Sequence, residues 1–399
     1  LIASPPQTVP AVLTELGMLG TRAAVVISAG FRELEPSRMN TLTAEMLAAA
    51  GTHLLRFIGP TTIGVMVPGV NLHAGWAHLQ PLPGRLAFVT QSRTVLSAVL
   101  DWAGHRRIGF SHCVCLGHMS DVDFGDMLDY LANDYLCRAI LISVETIGRA
   151  RKFMSAARSA ARMKPVILVK AGRFNGPTAS TDETARVFIN PEDVYDAAFM
   201  RAGVLRVNDL QALFDAVTTL TLIQPINDNR LAILTNGGGL GTMALVALYA
   251  KSGRAANLSS ETLRQLDDVL PPTGRRSNPV DLQPDARAER YAGALKILMG
   301  DENVDAVLVL NAPTAGISRT EIAEAVIATA DQFKQNYRRC GVLSCWLGDG
   351  PAQASRQMFL EKGIPSYETP QDAVRGFMQM YRYRHGQEVL METPPNIPA

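Results

Sequence analysis

Short apolar, β-branched runs alternate with amphipathic stretches along most of the chain. The runs Ala23–Ser28, Leu86–Val89, Ala139–Val144, Val166–Val169, Leu231–Leu234 and Ala306–Leu310 are apolar at successive positions, so each predicts a strand buried on both faces. Between them, Val95–Ala103, Ala150–Arg162, Met243–Lys251 and Glu321–Lys334 place apolar residues at helical spacing. Strand, helix, strand in this order predicts an α/β protein built of doubly wound parallel sheets of the Rossmann or flavodoxin kind, with helices on both faces.

Proline and glycine clusters at Leu79–Gly84 and Leu222–Asn229 interrupt the alternation. They predict a first segment over 1–82, a second domain over 83–225, a third over 226–385, and a linker or tail over 386–399. The first segment is short and starts almost in a strand, so it is expected to be the later half of a domain. An internal repeat supports the other division. Arg85-Leu86-Ala87-Phe88-Val89-Thr90-Gln91 is matched by Arg230-Leu231-Ala232-Ile233-Leu234-Thr235-Asn236 at an offset of 145 residues. Each copy is a hydrophobic strand, a small polar turn and a helix, so the second and third domains read as tandem copies of one unit.

Composition narrows the classes of function. With 399 residues, sizeable cores are available without disulfides or structural metals. Lys plus Arg number 38 against 37 acidic residues, and this balance argues against binding nucleic acid through a broad basic surface. No apolar run approaches the ~20 residues that span a bilayer. Five cysteines, at 113, 115, 137, 340 and 345, are few and odd in number, as expected of buried thiols in the reducing cytoplasm. His112 and His118 lie near Cys113 and Cys115, but without a second ligand cluster they do not make a metal motif.

In open α/β sheets, ligands bind at the carboxyl ends of strands, where helix N-termini present unpaired N–H groups. Both halves of the repeat carry suitable turns: Thr90, Gln91, Ser92 and Arg93 in the first, and Asn236, Gly237, Gly238 and Gly239 in the second. Glycines there allow close backbone approach to an anion such as a phosphoryl group. The other reading of each turn is a plain connection between elements. No Walker A loop and no G-x-S-x-G elbow is present.

Several motifs in fixed order carry a resemblance across essentially the whole chain. They are Gly84–Ser92, Leu100-Asp101-Trp102-Ala103, Ile108-Gly109-Phe110-Ser111, Lys164–Arg173, Thr235–Gly239 and Asn278-Pro279-Val280-Asp281-Leu282. Together they resemble the NDP-forming acyl-CoA synthetases, relatives of succinyl-CoA synthetase. The nearest likeness is to the synthetase-like region of bacterial protein lysine acetyltransferases of the Pat type. The resemblance implies that the first segment is part of a CoA-binding Rossmann domain. Ser4, Pro5, Ser28, Ala29, Gly30, Phe31, Gly59, Pro60 and Thr61 would then face coenzyme A or acetyl-CoA. It also implies that Thr90–Arg93 and Asn236–Gly239 hold a phosphohistidine in active relatives, and that Glu145 is the carboxylate orienting that histidine. ATP or ADP would be met only through an ATP-grasp segment outside these residues, and a GNAT domain outside them would transfer acetyl groups. An oligomer is expected.

The likeness breaks where the phosphohistidine belongs. Active relatives carry Ser-His-Thr-Gly after the Lys-Ala-Gly-Arg strand, whereas this chain reads Thr178-Ala179-Ser180-Thr181-Asp182-Glu183-Thr184-Ala185-Arg186 before Pro191. None of the seven histidines falls in that window. A phosphoramidate is reactive enough to pass its phosphoryl group on, and a threonine ester is not. Relatives also carry Ser-Gln-Ser-Gly where this chain has Thr90–Arg93, Gly-Pro-Asn where it has Gly59-Pro60-Thr61, and Gly-Asn where it has Gly117-His118. Three readings follow. The first is a CoA-binding synthetase-like module, catalytically degenerate and part of a lysine acetyltransferase. The second is the α-type part of an active ADP-forming acyl-CoA ligase, and the third a non-catalytic CoA-binding scaffold.

Overall fold

The apolar runs become strands whose side chains alternate between two buried faces. A computed structural model describes residues 1–31, 33–170, 191–222, 226, 228–334 and 340–392, and its chain divides into two units, 1–213 with 386–399 and 214–385.

The first unit opens with helix α1 (Val9–Met18), strand β1 (Ala23–Val25), helix α2 (Pro36–Thr52) and strand β2 (Arg56–Ile58). Strands β1 and β2 are parallel, and Ile2 bridges to Val26 alongside them. Their core holds Val9, Leu13, Phe31, Leu42, Met46 and Phe57. Next come β3 (Gly64–Val67), β4 (Leu72–Gly75), β5 (Leu82–Thr90), α3 (Arg93–His105), β6 (Gly109–Cys115) and α4 (Phe124–Asn133). After them run β7 (Ala139–Val144), α5 (Ala150–Met163), β8 (Val166–Lys170), α6 (Pro191–Arg201), β9 (Leu205–Val207) and α7 (Leu210–Leu222), whose last turns belong to the second unit. The larger sheet has the order β4-β3-β6-β5-β7-β8-β9. Ala87, Val89, Ile140, Ile142, Val166 and Leu168 pack on α4, α5 and α6, while Phe88, Leu141 and Ile167 are buried on the opposite face.

Two boundaries differ from the sequence expectation. The sheet that β5 belongs to also takes in β3 and β4, from before residue 82, and β3 pairs antiparallel with both β4 and β6. The stretch expected as a tail continues a helix to Met391, and Leu390 is buried in the core of the first unit.

The second unit contains β10 (Arg230–Thr235), α8 (Gly238–Ala250), β11 (Arg254–Ala255), α9 (Ser260–Asp267), β12 (Val280–Asp281) and α10 (Ala288–Gly300). It continues through β13 (Ala306–Asn311), α11 (Arg319–Lys334), β14 (Gly341–Trp346), α12 (Pro351–Glu361), β15 (Ser366–Tyr367) and most of α13 (Pro370–Met391). The strands run β11-β10-β13-β14-β15, all parallel, with β12 on the far end of β10. Ala232, Leu234, Val307 and Val309 face the side of the sheet that holds Tyr291, Leu295 and Ile322. Leu231, Ile233, Leu308 and Leu310 face the other side, with Ala244, Leu248 and Phe377.

Cys113, Cys115, Cys137 and Cys345 are buried free thiols, and Cys340 is half-buried. Among the described residues no group of three metal-ligating side chains comes together, and no helix is long and apolar enough to cross a membrane. His112 is a core residue beside Ser111 and Asp134, and burial lowers its pKa from the ordinary histidine value.

Asn278, from the motif read in the sequence, completes the second sheet where β10 leaves β11. Its carboxamide accepts from Ile233 N at 3.0 Å and donates to Leu231 O at 2.8 Å and Ala256 O at 3.1 Å. Replacing it strands backbone groups in a dry ladder. Asn278→Ala is expected to destabilise the protein by about 2–4 kcal/mol, read from the urea midpoint at unchanged slope.

Candidate functional site

The segments expected to face CoA meet at one edge of the small parallel sheet. Ile27 N donates to Ile2 O at 2.9 Å, which sets Ser4-Pro5 beside Ser28-Ala29-Gly30 at the carboxyl ends of these strands. Gly30 has a left-handed φ of +87°, and a Cβ there would lie 3.2 Å from Pro6. Gly59 follows β2 at the same edge. Its φ is +107°, and a Cβ would collide with Val26 O at 2.4 Å, so only glycine fits. Ala29 and Pro5 are exposed, and Ser4 is half-buried and accepts from Thr8 Oγ1 at 2.9 Å. Two of the expected contacts point inward instead. Phe31 lies in the core, and the buried Ser28 hydroxyl donates to Ile2 O at 3.4 Å, so each offers a ligand only its backbone.

The turn Gly59-Pro60-Thr61 is closed over by the loop after β6. His118 N donates to Pro60 O at 3.0 Å and Ser120 N to Gly59 O at 3.2 Å, and a Cβ on Gly117 would meet Pro60 O at 2.2 Å. Two departures noted separately in the sequence, at Thr61 and at Gly117-His118, are therefore neighbours. Thr61 has a left-handed φ of +61°, an outlier for a β-branched residue, and its buried hydroxyl lacks a hydrogen-bond partner. Asparagine, the residue expected of relatives here, tolerates this conformation far better.

At the carboxyl edge of the larger sheet, Thr90 ends β5 and Ser92 caps α3. Thr90 Oγ1 accepts from Ser92 N at 3.1 Å, and Ser92 Oγ accepts from Val95 N at 3.4 Å. Gln91 turns inward. Its Oε1 accepts from Glu145 N at 2.8 Å and Thr146 N at 3.0 Å, while its Nε2 donates to Thr146 Oγ1 at 3.0 Å. This carboxamide joins the turn after β5 to the turn after β7. Glu145 is exposed, and Arg93 is half-buried at the first position of α3.

The second unit repeats the plan with a different set of bonds. Gly237 N donates to Thr235 Oγ1 at 3.1 Å, the counterpart of the bond from Ser92 N. Asn236 Oδ1 accepts from Ala312 N at 2.8 Å, and Asn236 Nδ2 donates to Ala312 O at 3.0 Å. Gln91 and Asn236 are thus equivalent clamps between neighbouring strand ends, each expected phosphate contact being engaged with protein groups of the next loop. The open surface is on the glycines. A Cβ at Gly237 or Gly239 would meet nothing within 4 Å, while one at Gly238 would lie 3.1 Å from Asp281 Oδ2. Bare N–H groups at the start of the thirteen-residue α8 suit an anion.

The window that lacks histidine lies within 171–190, outside the described residues. On either side of it, Lys170 at the end of β8 and Glu192 in α6 form an ion pair at 3.2 Å, and Arg206 also bonds Glu192. Burial pushes the Glu192 carboxyl up, but hydrogen bonds from Arg206 and Lys170 outweigh it and hold the pKa below the ordinary value.

Largely parallel sheets in each unit, with small, polar βα turns at their carboxyl edges, define a doubly wound α/β protein. Residues 83–220 match the succinyl-CoA ligase like flavodoxin domain. The chain is 35% identical over 386 residues to the ADP-forming acetate–CoA ligase I of Archaeoglobus fulgidus, covering 96% of this chain and 54% of that protein. It is 32% identical over 385 residues to the alpha subunit of the ADP-forming acetate–CoA ligase I of Pyrococcus furiosus, covering 96% and 82%. Its fold matches the apo form of the dinucleotide-forming acetyl-coenzyme A synthetase 1 of Ca. Korarchaeum cryptofilum. The TM-score is 0.83 at 26% identity, over 98% of this chain and 84% of that one. The chain belongs to the NDP-forming acyl-CoA synthetase family and is alpha-subunit-like. It spans about half the length of the A. fulgidus relative and most of the P. furiosus subunit.

The strain at Thr61 generates a direct test. Thr61→Asn is expected to raise stability by about 1 kcal/mol, seen as a higher melting temperature. An unchanged or lower melting temperature would contradict the assignment of strain.

Proposed function

We propose that this chain is a CoA- and acetyl-CoA-binding, synthetase-like module in which phosphoryl transfer through histidine has been lost. One observation carries the reading. The chain is similar along nearly its whole length to ADP-forming ligase alpha subunits, yet its sequence has no histidine between His118 and His385. The carboxyl edge of the small sheet suits the coenzyme, since exposed Ala29 and left-handed Gly30 leave backbone accessible there. Coenzyme A would supply a thiol or thioester. The chain's part is to hold it through the segments at Ser4-Pro5, Ser28–Phe31 and Gly59–Thr61. The N–H groups at Gly238 and Gly239, and Arg93 in the first unit, would stabilise an anion at each turn. With no imidazole in the window 171–190, Glu145 has no phosphohistidine there to orient.

The P. furiosus relative is an alpha subunit, and we infer that any nucleotide chemistry belongs to an ATP-grasp segment or subunit beyond these residues. The role as the ligand-responsive part of a lysine acetyltransferase with a GNAT domain rests on the sequence resemblance alone. An active ligase and a purely structural scaffold are the two other readings.

The native full-length polypeptide, given ATP, acetate and CoA, is expected to release no ADP above background. Acetyl-CoA at about 100 times its dissociation constant should add about 2.7 kcal/mol of stability and raise the melting temperature. ADP release that requires all three substrates would establish a working ligase. A melting temperature indifferent to CoA and acetyl-CoA would leave the scaffold.

A further inference from the structure

The turn Gly59-Pro60-Thr61 lies beyond the parallel ladder that holds β2. That ladder ends with Val25 opposite Ile58, and past it Gly59 and Thr61 are both left-handed, with φ of +107° and +61°. The donors that a ladder would supply come instead from the loop after β6. Val122 N donates to Phe57 O at 3.3 Å, Ser120 N to Gly59 O at 3.2 Å and His118 N to Pro60 O at 3.0 Å, so the loop runs antiparallel along the turn. At its other end, Leu116 N donates to Thr90 O at 2.7 Å. Residues 116–122 therefore bond both the coenzyme edge and the start of the anion turn in the first unit.

This loop carries strain of its own. Gly117 and Met119 are left-handed, at φ of +60° and +53°, on either side of the exposed His118. A methionine persists in that region only where its surroundings hold it. Asp121 supplies the hold. Its carboxylate accepts from Phe57 N at 2.9 Å and from Arg56 Nε at 3.0 and 2.9 Å, so one side chain pins the loop to two successive residues of β2. Arg56 in turn lies 3.4 Å from Asp126, which closes the capping box of α4. The anchor is tied to a helix start as well as to a strand.

We propose that Asp121 is a positioning residue of the coenzyme edge, fixing the backbone of Gly59, Pro60 and Thr61 through the loop it pins to β2. This rests on the coenzyme-binding reading of that edge. Asp121 makes no hydrogen bond to the turn itself; it acts through the N–H groups of Ser120 and His118. Without the carboxylate, Phe57 N and the guanidinium lose their acceptor, and charge-assisted bonds of this kind are the strong ones. The left-handed residues of the loop then relax, and the carbonyls of Gly59 and Pro60 lose the donors that set the turn.

The test measures CoA affinity of the native full-length polypeptide by calorimetry, at a temperature where every variant is folded, together with hydrogen exchange at the His118 and Ser120 amides. Asp121→Asn should weaken CoA binding about tenfold and speed exchange at both amides. Asp209→Ala is the control. It removes the bond that Asp209 Oδ1 accepts from Ala212 N at 2.7 Å at the start of α7, and should lower the melting temperature without changing the CoA dissociation constant. Should Asp121→Asn fail to fold, Arg56→Gln, which leaves Phe57 N its acceptor, should weaken CoA binding about threefold by the same route. The proposal is overturned if CoA affinity or amide exchange in Asp121→Asn stays at the wild-type value, or if Asp209→Ala weakens binding equally. Wild-type protein that binds no CoA would instead overturn the coenzyme reading itself. Exchange in Asp121→Asn tells that failure apart from a loop that Asp121 does not hold.

Discussion

A single carboxamide at the end of the first strand of each repeat unit holds the candidate site together. Gln91 in one unit and Asn236 in the other each reach across to the loop that follows the neighbouring strand and bind its backbone. Parallel strands leave their carboxyl ends unpaired beyond the last ladder bond, and a buried N–H left there without a partner is costly. The clamp satisfies those groups and fixes where the following helix begins. In the first unit it also sets the backbone of Glu145, and in the second that of Ala312. The threonine before each clamp accepts from the amide two residues on, so turn and clamp form one rigid unit.

From this frame the two units diverge in chemistry. The first carries Ser92, Arg93 and an exposed carboxylate at Glu145 around its turn, the second three glycines with open backbone. One presents side chains at its turn and the other backbone N–H groups at a helix N-terminus, so equivalent positions of the repeat carry different chemistry. The first domain follows a related logic. Small and left-handed residues at Gly30 and Gly59 keep its edge low, and the loop at Gly117 packs down on Pro60 because no Cβ stands between them.

Much of the fold was legible from residues alone, because buried parallel strands are apolar at successive positions. Ala139–Val144 matches β7 end to end, and Ala306–Leu310 lacks only Asn311 of β13. Strands β3 and β4 were not, since they are short and separated by Pro68-Gly69, and nothing local shows that β3 pairs back onto β6. Strands β6 and β14 carry polar residues such as Ser111, His112 and Ser344 that blur the apolar signal. At the site, the turns were located correctly on strand ends, but the direction of Gln91 and Asn236 was not visible. A polar residue at a βα turn can face ligand or protein, and only the repeat, which aligns two carboxamides at one position, hints at a shared structural role. Phe31 likewise sits in a motif associated with ligand yet points into the core.

We propose that this family member has kept the scaffold and lost the phosphoryl carrier. The most direct test is to incubate the native full-length protein with ATP labelled in the γ-phosphoryl group and look for acid-labile label on the polypeptide. The expected result is that residues 1–399 carry no acid-labile label. Label recovered as phosphohistidine at any of the seven histidines would contradict it and show that a phosphoryl carrier is retained.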